Sequence, residues 1–160
     1  MYREKLEELK KWKKSLNRKP LIIRGARQVG KTWLMKEFGE KYYDKCAYIN
    51  FDDNIRMTQL FEGDFDLDRI IQGLKIESGV NIEAQNTLII FDEIQETPKA
   101  LKALKYFCEN AREYHIISAG SLLGVAIHEG TSFPVGKVEF LDLKPLSFFE
   151  FIEAIGENEL

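Results

Sequence analysis

One octet, placed directly after a short apolar run, limits the folds open to this chain. The apolar run is Leu21-Ile22-Ile23, and a single residue, Arg24, separates it from the octet. It reads Gly25-Ala26-Arg27-Gln28-Val29-Gly30-Lys31-Thr32 and fits G-x-x-x-x-G-K-[ST] completely. Glycines let the backbone turn with its N–H groups pointing inward, and a helix that starts at the end of such a loop adds its dipole. The pattern therefore predicts a strand, a phosphate-binding loop (P-loop) and a helix.

The residue types of this loop suggest how it holds a nucleoside triphosphate. Backbone N–H groups along the octet would surround the phosphates. Lys31 would reach the β- and γ-phosphates as a mobile cation, and the Thr32 hydroxyl would bind Mg²⁺. Trp33 follows, and we interpret it as a packing residue of the core or of the adenine edge, with the core favoured, in preference to a residue that stacks specifically on the base. We therefore expect residues 25–33 to contact ATP and Mg²⁺.

A second apolar run ends in two adjacent carboxylates. Leu88-Ile89-Ile90-Phe91 leads into Asp92 and Glu93, at the kind of strand end where open α/β sheets bind ligands. Asp92 would hold Mg²⁺ together with Thr32, and Glu93 would polarise a water for attack on the γ-phosphate. The chain has no [NT]-K-x-D guanine motif. We therefore predict an ATPase rather than a GTPase or a kinase.

Apolar runs and amphipathic stretches alternate along the rest of the chain. Strands are predicted at Leu21–Ile23, Cys46–Phe51, Thr87–Phe91, His115–Ser118 and Val138–Leu143. Helices are predicted over a stripe of Leu6, Leu9, Trp12 and Leu16 that ends near Asn17, over Lys31–Phe38 closed by Gly39, and over Pro98–Arg112. Residues 53–83 have no clear assignment. Strands that alternate with helices predict an α/β fold with a mostly parallel five-stranded sheet covered on both faces.

Polar residues near other strand ends are further candidates for the same edge of the sheet. Ser121 either orients the γ-phosphate and the attacking water or caps the next helix, and both interpretations stay open. Asp52 and Asp53 are interpreted as turn formers in preference to partners of the magnesium shell. His115 is predicted to be buried and hydrogen-bonded, and His128 to lie on the surface.

Composition limits the number of domains and the classes of partner. The 160 residues are 44% apolar, which is enough for one core, and the net charge of -3 does not indicate a general nucleic-acid binder. The basic residues at the start of the chain are interpreted as a solvated helix face rather than a nucleic-acid or lipid contact. Cys46 and Cys108 lie too far apart in sequence to suggest a disulfide framework or a zinc site. We expect residues 1–18 to form a helix packed on an ATPase domain over residues 19–160.

The sequence shows no targeting or membrane segment. Its start lacks the apolar region of a signal peptide, and no apolar run approaches the ~18 residues of a membrane span. We therefore expect a cytoplasmic protein without a membrane partner.

Taken together, the motifs resemble the ATPase domain of a prokaryotic AAA-like family of the AAA+ superfamily, whose members carry a C-terminal domain of unknown function. The matching pieces are the octet with Gln28, Asp92-Glu93-Ile94-Gln95-Glu96 with Pro98, Gly120-Ser121, and Pro145-Leu146-Ser147-Phe148 leading to Glu150-Phe151. The resemblance implies a P-loop NTPase fold, a three-layer α/β/α sandwich with strand order 5-1-4-3-2. It also implies that Gln95 lies close to the catalytic edge and that Ser121 has the role called sensor 1.

Two departures from that family affect the expected partners. The family often has Gly-Arg before the last strand, whereas this chain has Gly136-Lys137, and lysine cannot give phosphate the bidentate fork of arginine. We therefore do not expect a trans-acting arginine finger at this position. A catalytic arginine from a second copy of the chain or from another partner would have to come from elsewhere. Relatives of this type continue well beyond Leu160, so we expect a fragment of a longer protein.

Three functions are compatible with these features. The first is a magnesium-dependent ATPase that couples hydrolysis to work on a macromolecule. The second is a nucleotide-gated switch with little turnover, and the third is a DNA-associated factor that uses the basic N-terminal helix. Glu93 favours the first of these, because its carboxylate is suited to activating water.

Overall fold

The computed structural model describes residues 2–25, 30–120, 136–143 and 156. The helices are α1 (Tyr2–Lys14), α2 (Lys31–Tyr42), α3 (Ile55–Glu62), α4 (Leu67–Ser78) and α5 (Pro98–Asn110), with a 3₁₀ turn at Ile94–Glu96. The strands are β1 (Leu21–Arg24), β2 (Lys45–Asn50), β3 (Thr87–Asp92), β4 (His115–Ala119) and β5 (Glu139–Asp142). All five strands lie close to their predicted positions.

The five strands form one parallel sheet in the order β2-β3-β4-β1-β5. The predicted order 5-1-4-3-2, read from the other edge, is therefore confirmed. In the register of the sheet, Asp92 at the end of β3 lies beside Asn50 of β2 and Ala119 of β4. The carboxyl ends of these neighbouring strands therefore meet at one edge, which we call the carboxyl edge.

Helices cover both faces of the sheet and enclose a separate core on each. Leu88 and Ile90 face the core that includes α1 and α2, whereas Ile89 and Phe91 face the core under α3, α4 and α5. All six residues of β3 are buried. An unbroken apolar run is what a parallel strand needs when both of its faces are covered. The predicted three-layer α/β/α sandwich is thus confirmed.

The N-terminal helix packs on the sheet as predicted, but one member of its apolar stripe was assigned wrongly. Leu9 and Trp12 are buried, whereas Leu16 is 99% exposed. The helix ends at Lys14 rather than near Asn17. Trp12 Nε1 donates to the backbone carbonyl of Lys19 at 2.7 Å, so the chain turns back after the helix and Leu16 leaves the packed face.

Gly39 does not close α2, contrary to the sequence prediction. The helix continues to Tyr42, and Gly39 is buried within it. A Cβ atom at this position would lie 2.8 Å from Sγ of Cys46 and 3.2 Å from Cδ2 of Leu88. The glycine therefore serves close packing of α2 on strands β2 and β3, and not helix termination.

The unassigned residues 53–83 contain two capped helices. The Asn54 side chain accepts a hydrogen bond from the backbone N–H of Met57 at the start of α3, and Asp66 caps α4 in the same way. Asn and Asp are preferred at this position because their oxygens satisfy free N–H groups of the first turn. Asn54 and Asp66 were thus the residues from which the starts of α3 and α4 could have been predicted.

Further sequence predictions concern the histidines, the two aspartates after β2 and the cysteines. His115 is buried and hydrogen-bonded to Tyr43, as predicted, whereas His128 lies outside the described residues. Asp52 and Asp53 are exposed and form a turn, which confirms the favoured interpretation. Cys46 and Cys108 are free thiols. Within the described ranges, no helix is long and apolar enough to cross a membrane.

Candidate functional site

The ends of the predicted P-loop lie at the carboxyl edge. Gly25 directly follows β1, and α2 begins at Lys31. Gly30 has φ 88° and ψ 20°, a left-handed conformation that glycine adopts without a steric penalty. It therefore turns the chain into α2. The middle of the octet, Ala26-Arg27-Gln28-Val29, lies outside the described residues.

Lys31 lies buried between two strand ends. Its Nζ donates to the carbonyl oxygen of Gly25 at 2.7 Å and to that of Gly120 at 3.3 Å. Burial lowers the pKa of Lys31, and the negative charges of Glu93 and Asp92 oppose this shift. Both of these acceptors are neutral carbonyls, which phosphate oxygens can replace with stronger charge-assisted hydrogen bonds.

Thr32 and Asp92 are in direct contact although sixty positions separate them in sequence. The Thr32 hydroxyl donates to Oδ2 of Asp92 at 2.6 Å, and only 5% of Asp92 is exposed. Thr32 stands in the first turn of α2, whereas Asp92 ends β3. The sheet thus brings together the hydroxyl and the carboxylate that the sequence assigns to one magnesium ion.

Tyr48 is a further member of this cluster that the sequence analysis missed. Its hydroxyl donates to the same oxygen of Asp92, also at 2.6 Å, and Nζ of Lys36 lies 4.1 Å from the centre of its ring. Burial and the hydrogen bond to Asp92 raise the pKa of Tyr48 above its ordinary value, so the phenol stays a donor. The only sequence signal was its place two residues before the end of β2.

Glu93 leaves the strand in an unusual backbone conformation. It has φ 55° and ψ 41°, which costs a non-glycine residue about 1–2 kcal/mol. The following turn, Ile94–Glu96, is anchored by Ile94, which is fully buried. Gln95 Nε2 donates to Oε2 of Glu93 at 2.6 Å. Gln95 thus lies at the carboxyl edge beside Glu93, the position that the family resemblance implied.

Lys137 lies away from this cluster. β5 runs parallel to β1 with Glu139 beside Leu21, so Lys137 precedes the amino end of its strand. The octet follows the carboxyl end of β1, at the opposite edge of the sheet. Lys137 instead forms an ion pair with Glu109 at 3.5 Å. It therefore does not face the phosphate side of its own chain.

Of the two remaining candidates, Trp33 and Ser121, the first lies within the described residues and the second does not. Trp33 is half-buried and packs against the core that includes α1 and α2, which agrees with a core role. Ser121 lies outside the described residues, although the carbonyl of the preceding Gly120 contacts Lys31. The nucleotide contact of Trp33 and the sensor role of Ser121 stay predictions.

The side chains of the cluster suit a nucleotide with magnesium. Mg²⁺ prefers oxygen ligands and keeps several waters, and a hydroxyl beside a carboxylate supplies such ligands. Among the described residues, no group of three or more His, Cys, Asp or Glu side chains could hold a metal ion. Thr32 and Asp92 would therefore share the ion with nucleotide phosphates and water rather than enclose it.

Solved structures with a similar fold include an ATPase and a protein in complex with DNA. The Walker-type ATPase paby2304 of Pyrococcus abyssi matches 100% of this chain over 59% of its own length, with a TM-score of 0.60 and 16% identity. The Orc1 protein of Aeropyrum pernix, solved in complex with DNA, matches 98% of this chain over 48% of its own length, with a TM-score of 0.54 and 14% identity. This chain thus spans about half of each protein, and the likeness shows a shared fold.

Sequence comparisons place the chain in a family. No curated protein matches it significantly. A family model described as "AAA domain" matches residues 17–152, which include the octet, β3 with its two carboxylates, and β5. The chain therefore belongs to the AAA domain family of nucleotide-binding ATPases.

Proposed function

We propose that residues 19–160 form a domain that binds ATP with Mg²⁺ and hydrolyses the bond between the β- and γ-phosphates. Residues 1–18 are proposed to form the helix that packs on this domain. The observation that carries the proposal is the 2.6 Å contact between the Thr32 hydroxyl and Asp92, next to the buried Lys31. These groups come from separate elements and meet where open α/β sheets bind ligands.

In the bound state, the octet and Lys31 hold the phosphates. Backbone N–H groups of the octet would face the phosphate oxygens, and Lys31 would exchange its two carbonyl partners for the β- and γ-phosphates. Thr32 and Asp92 would hold Mg²⁺, which would neutralise the charge that develops on the phosphates. Tyr48 keeps Asp92 oriented through its hydrogen bond.

Hydrolysis requires a base at the γ-phosphate, and Glu93 is the proposed one. Its carboxylate accepts a proton from water as the water oxygen bonds to the γ-phosphorus. The bridging P–O bond breaks, and its electron pair stays on ADP. Ser121 is proposed to orient the γ-phosphate and the water. Base assistance of this kind is typically worth ~10² to 10⁴ in rate.

A nucleotide-gated switch is the second candidate function. It is supported by the position of Lys137, which lies at the opposite edge of the sheet and therefore does not reach the nucleotide of its own chain. An arginine from a second copy or a partner is worth ~10³ to 10⁵ in rate in related reactions. Turnover by the isolated chain is therefore expected to be slow and to rise with protein concentration if a second copy supplies the arginine.

Work on nucleic acid is a weaker proposal. The Orc1 neighbour was solved with DNA, and the N-terminal helix is rich in lysine. However, Lys13 donates to the backbone carbonyl of Tyr42, and Arg18 donates to those of Lys13 and Arg112. These two cations are thus engaged within the chain, which leaves fewer for phosphate contacts.

Three variants separate the proposed roles in one experiment. Lys31→Ala is expected to weaken ATP binding strongly, and Asp92→Asn to weaken the magnesium complex. Glu93→Gln is expected to keep binding and to lose hydrolysis by about 10²-fold or more, because an amide cannot accept the proton. Calorimetry across a magnesium titration reports binding, and single-turnover hydrolysis reports chemistry. Glu96→Gln, at an exposed neighbouring position, is the matched control.

The outcomes distinguish the candidate functions. Unchanged ATP affinity in Lys31→Ala would contradict the phosphate site itself. Hydrolysis at the parental rate in Glu93→Gln would contradict the activated-water mechanism and would favour the switch.

A further inference from the structure

Gln95 makes a contact that phosphate and magnesium binding do not use. Its Nε2 donates to Oε2 of Glu93 at 2.6 Å. An ionised carboxylate only accepts hydrogen bonds, so this contact fixes which end of the amide faces Glu93. The other end of the amide, Oε1, is buried and has no hydrogen-bond partner among the described residues.

The backbone holds the two side chains in this arrangement. The N–H of Glu96 donates to the carbonyl of Glu93 at 3.1 Å, and the N–H of Thr97 donates to that of Ile94 at 3.0 Å. These bonds close the turn that carries Gln95. The left-handed conformation of Glu93 directs the turn away from the line of β3. Strained residues of this kind persist only where the surrounding structure holds them in place. They cluster at functional sites.

The unpaired amide oxygen suits a ligand that donates a hydrogen bond. Buried acceptors in proteins are nearly always paired, so one left open next to a catalytic carboxylate suggests a missing donor. A water molecule that attacks a phosphate has two hydrogens and needs two acceptors. Lys31 and Thr32 present donors to this edge of the sheet, whereas Glu93 and the amide oxygen of Gln95 present acceptors. The second carboxylate oxygen of Glu93 accepts no hydrogen bond from a described side chain, which leaves it open for the same water.

We propose that Gln95 orients the water that attacks the γ-phosphate. Its Oε1 accepts one hydrogen bond from the water, and Glu93 accepts the proton that the water loses as the new O–P bond forms. Gln95 exchanges no proton, and its Nε2 keeps the Glu93 carboxylate in position. This inference rests on the proposed function, because it requires that Glu93 acts as the base.

The variant that tests the proposal is Gln95→Met, which keeps the length of the side chain and removes both hydrogen bonds. The matched control is Gln72→Met at an exposed position of α4. We expect Gln95→Met to bind ATP with Mg²⁺ as tightly as the parental chain. Its single-turnover hydrolysis should be about 10²-fold slower, at the lower end of base assistance. Thermal unfolding with and without nucleotide shows whether the fold is retained.

Combination with Glu93→Gln shows whether the two residues act as one unit. If they do, the double variant is no slower than Glu93→Gln alone, since groups that act together give non-additive losses. Multiplied losses would instead contradict the proposal. If Gln95→Met fails to fold, Gln95→Glu keeps the shape but cannot donate to Glu93, and slow hydrolysis is again expected.

The results also separate this inference from the proposed function. Slow hydrolysis in Glu93→Gln together with the parental rate in Gln95→Met would overturn only the role of Gln95. The parental rate in Glu93→Gln would overturn the proposed function and, with it, this inference.

Discussion

The Asp92 carboxylate accepts hydrogen bonds from three separate elements of the site. Its Oδ2 accepts hydroxyl hydrogen bonds from Thr32 and Tyr48, and its Oδ1 accepts from the backbone N–H of Glu93. The carboxylate thereby links the start of α2, the interior of β2 and the turn after β3. Its orientation is set before any ligand arrives, which lowers the entropic cost of binding a metal ion.

Loss of the Tyr48 hydroxyl tests this orientation at the residue scale. Tyr48→Phe is expected to weaken the affinity of the nucleotide complex for Mg²⁺ by about 10-fold, because groups that hold a metal ligand typically contribute 10- to 100-fold. Affinity for ATP without magnesium should stay the same. The measurement is a magnesium titration with bound nucleotide, and Tyr106→Phe, in α5, is the control. An unchanged magnesium midpoint would show that Thr32 and the strand backbone suffice to orient Asp92.

At the scale of elements, α2 is the part of the fold that positions Lys31 and Thr32. Gly39, two turns further along the same helix, allows α2 to approach β2 and β3. Burial of Cys46 beneath the helix raises the pKa of its thiol to about 11, in agreement with this close packing. The position of α2 therefore depends on a residue that lies two turns away from Lys31 and Thr32.

Gly39→Val should move or loosen this helix. A branched side chain cannot fit beside Cys46 and Leu88, and overpacking of a core typically costs 1–3 kcal/mol of unfolding free energy. Chemical denaturation measures the loss. Gly39→Ala should cost less, because alanine gains about 1 kcal/mol of helix propensity over glycine. Combining Gly39→Ala with Cys46→Ala should restore part of any loss, since the nearest atom is then absent. Full stability of Gly39→Val would contradict the packing role.

At the scale of the whole molecule, a buried aromatic cluster connects the N-terminal helix to the sheet. The rings of Trp12 and Tyr43 pack edge-on against His115, and the Tyr43 hydroxyl lies 2.5 Å from its Nδ1. Burial, with the nearby charges of Arg18 and Lys13, lowers the pKa of His115 from 6.5 to about 4. The folded chain therefore holds this histidine neutral.

This shift predicts a pH dependence of stability. Between pH 6.5 and about 4 the unfolded chain binds a proton that the folded chain does not, so stability falls as the pH falls through this range. The loss amounts to at most about 3 kcal/mol and ends below the folded pKa. Asp64, Glu77 and Glu83 have lowered pKa values and add their losses only below about pH 4.5.

Denaturation across pH with His115→Phe provides the measurement. This variant should show a flatter profile between pH 6.5 and 4.5 than the parental chain. His128→Asn removes the only other histidine and should keep the parental slope. Equal slopes for His115→Phe and the parental chain would place the acid sensitivity elsewhere.

The sequence by itself determined the features that depend on neighbouring residues. The octet and the run before it predicted a strand and a helix at their observed places, and the apolar run before Asp92 predicted a buried strand, because local spacing encodes both. Where helices end was less certain: α1 stops before Leu16, and α2 continues through Gly39. In both cases a contact outside the helix overrides local propensity: Trp12 donates a hydrogen bond to Lys19, and Gly39 packs against Cys46 and Leu88.

Only the tertiary structure decided which distant side chains meet. The sequence paired Thr32 with Asp92 because both belong to motifs that bind magnesium with a nucleotide. The Tyr48 hydroxyl donates to the same Oδ2 of Asp92 because of the register between β2 and β3. No pattern within one strand encodes the register of its neighbour. Likewise, Gln95 was placed near the edge by resemblance alone, and its hydrogen bond to Glu93 depends on a left-handed backbone at a glutamate. Sequence rules assign that conformation to glycine, so it arises here only because the surrounding fold imposes it.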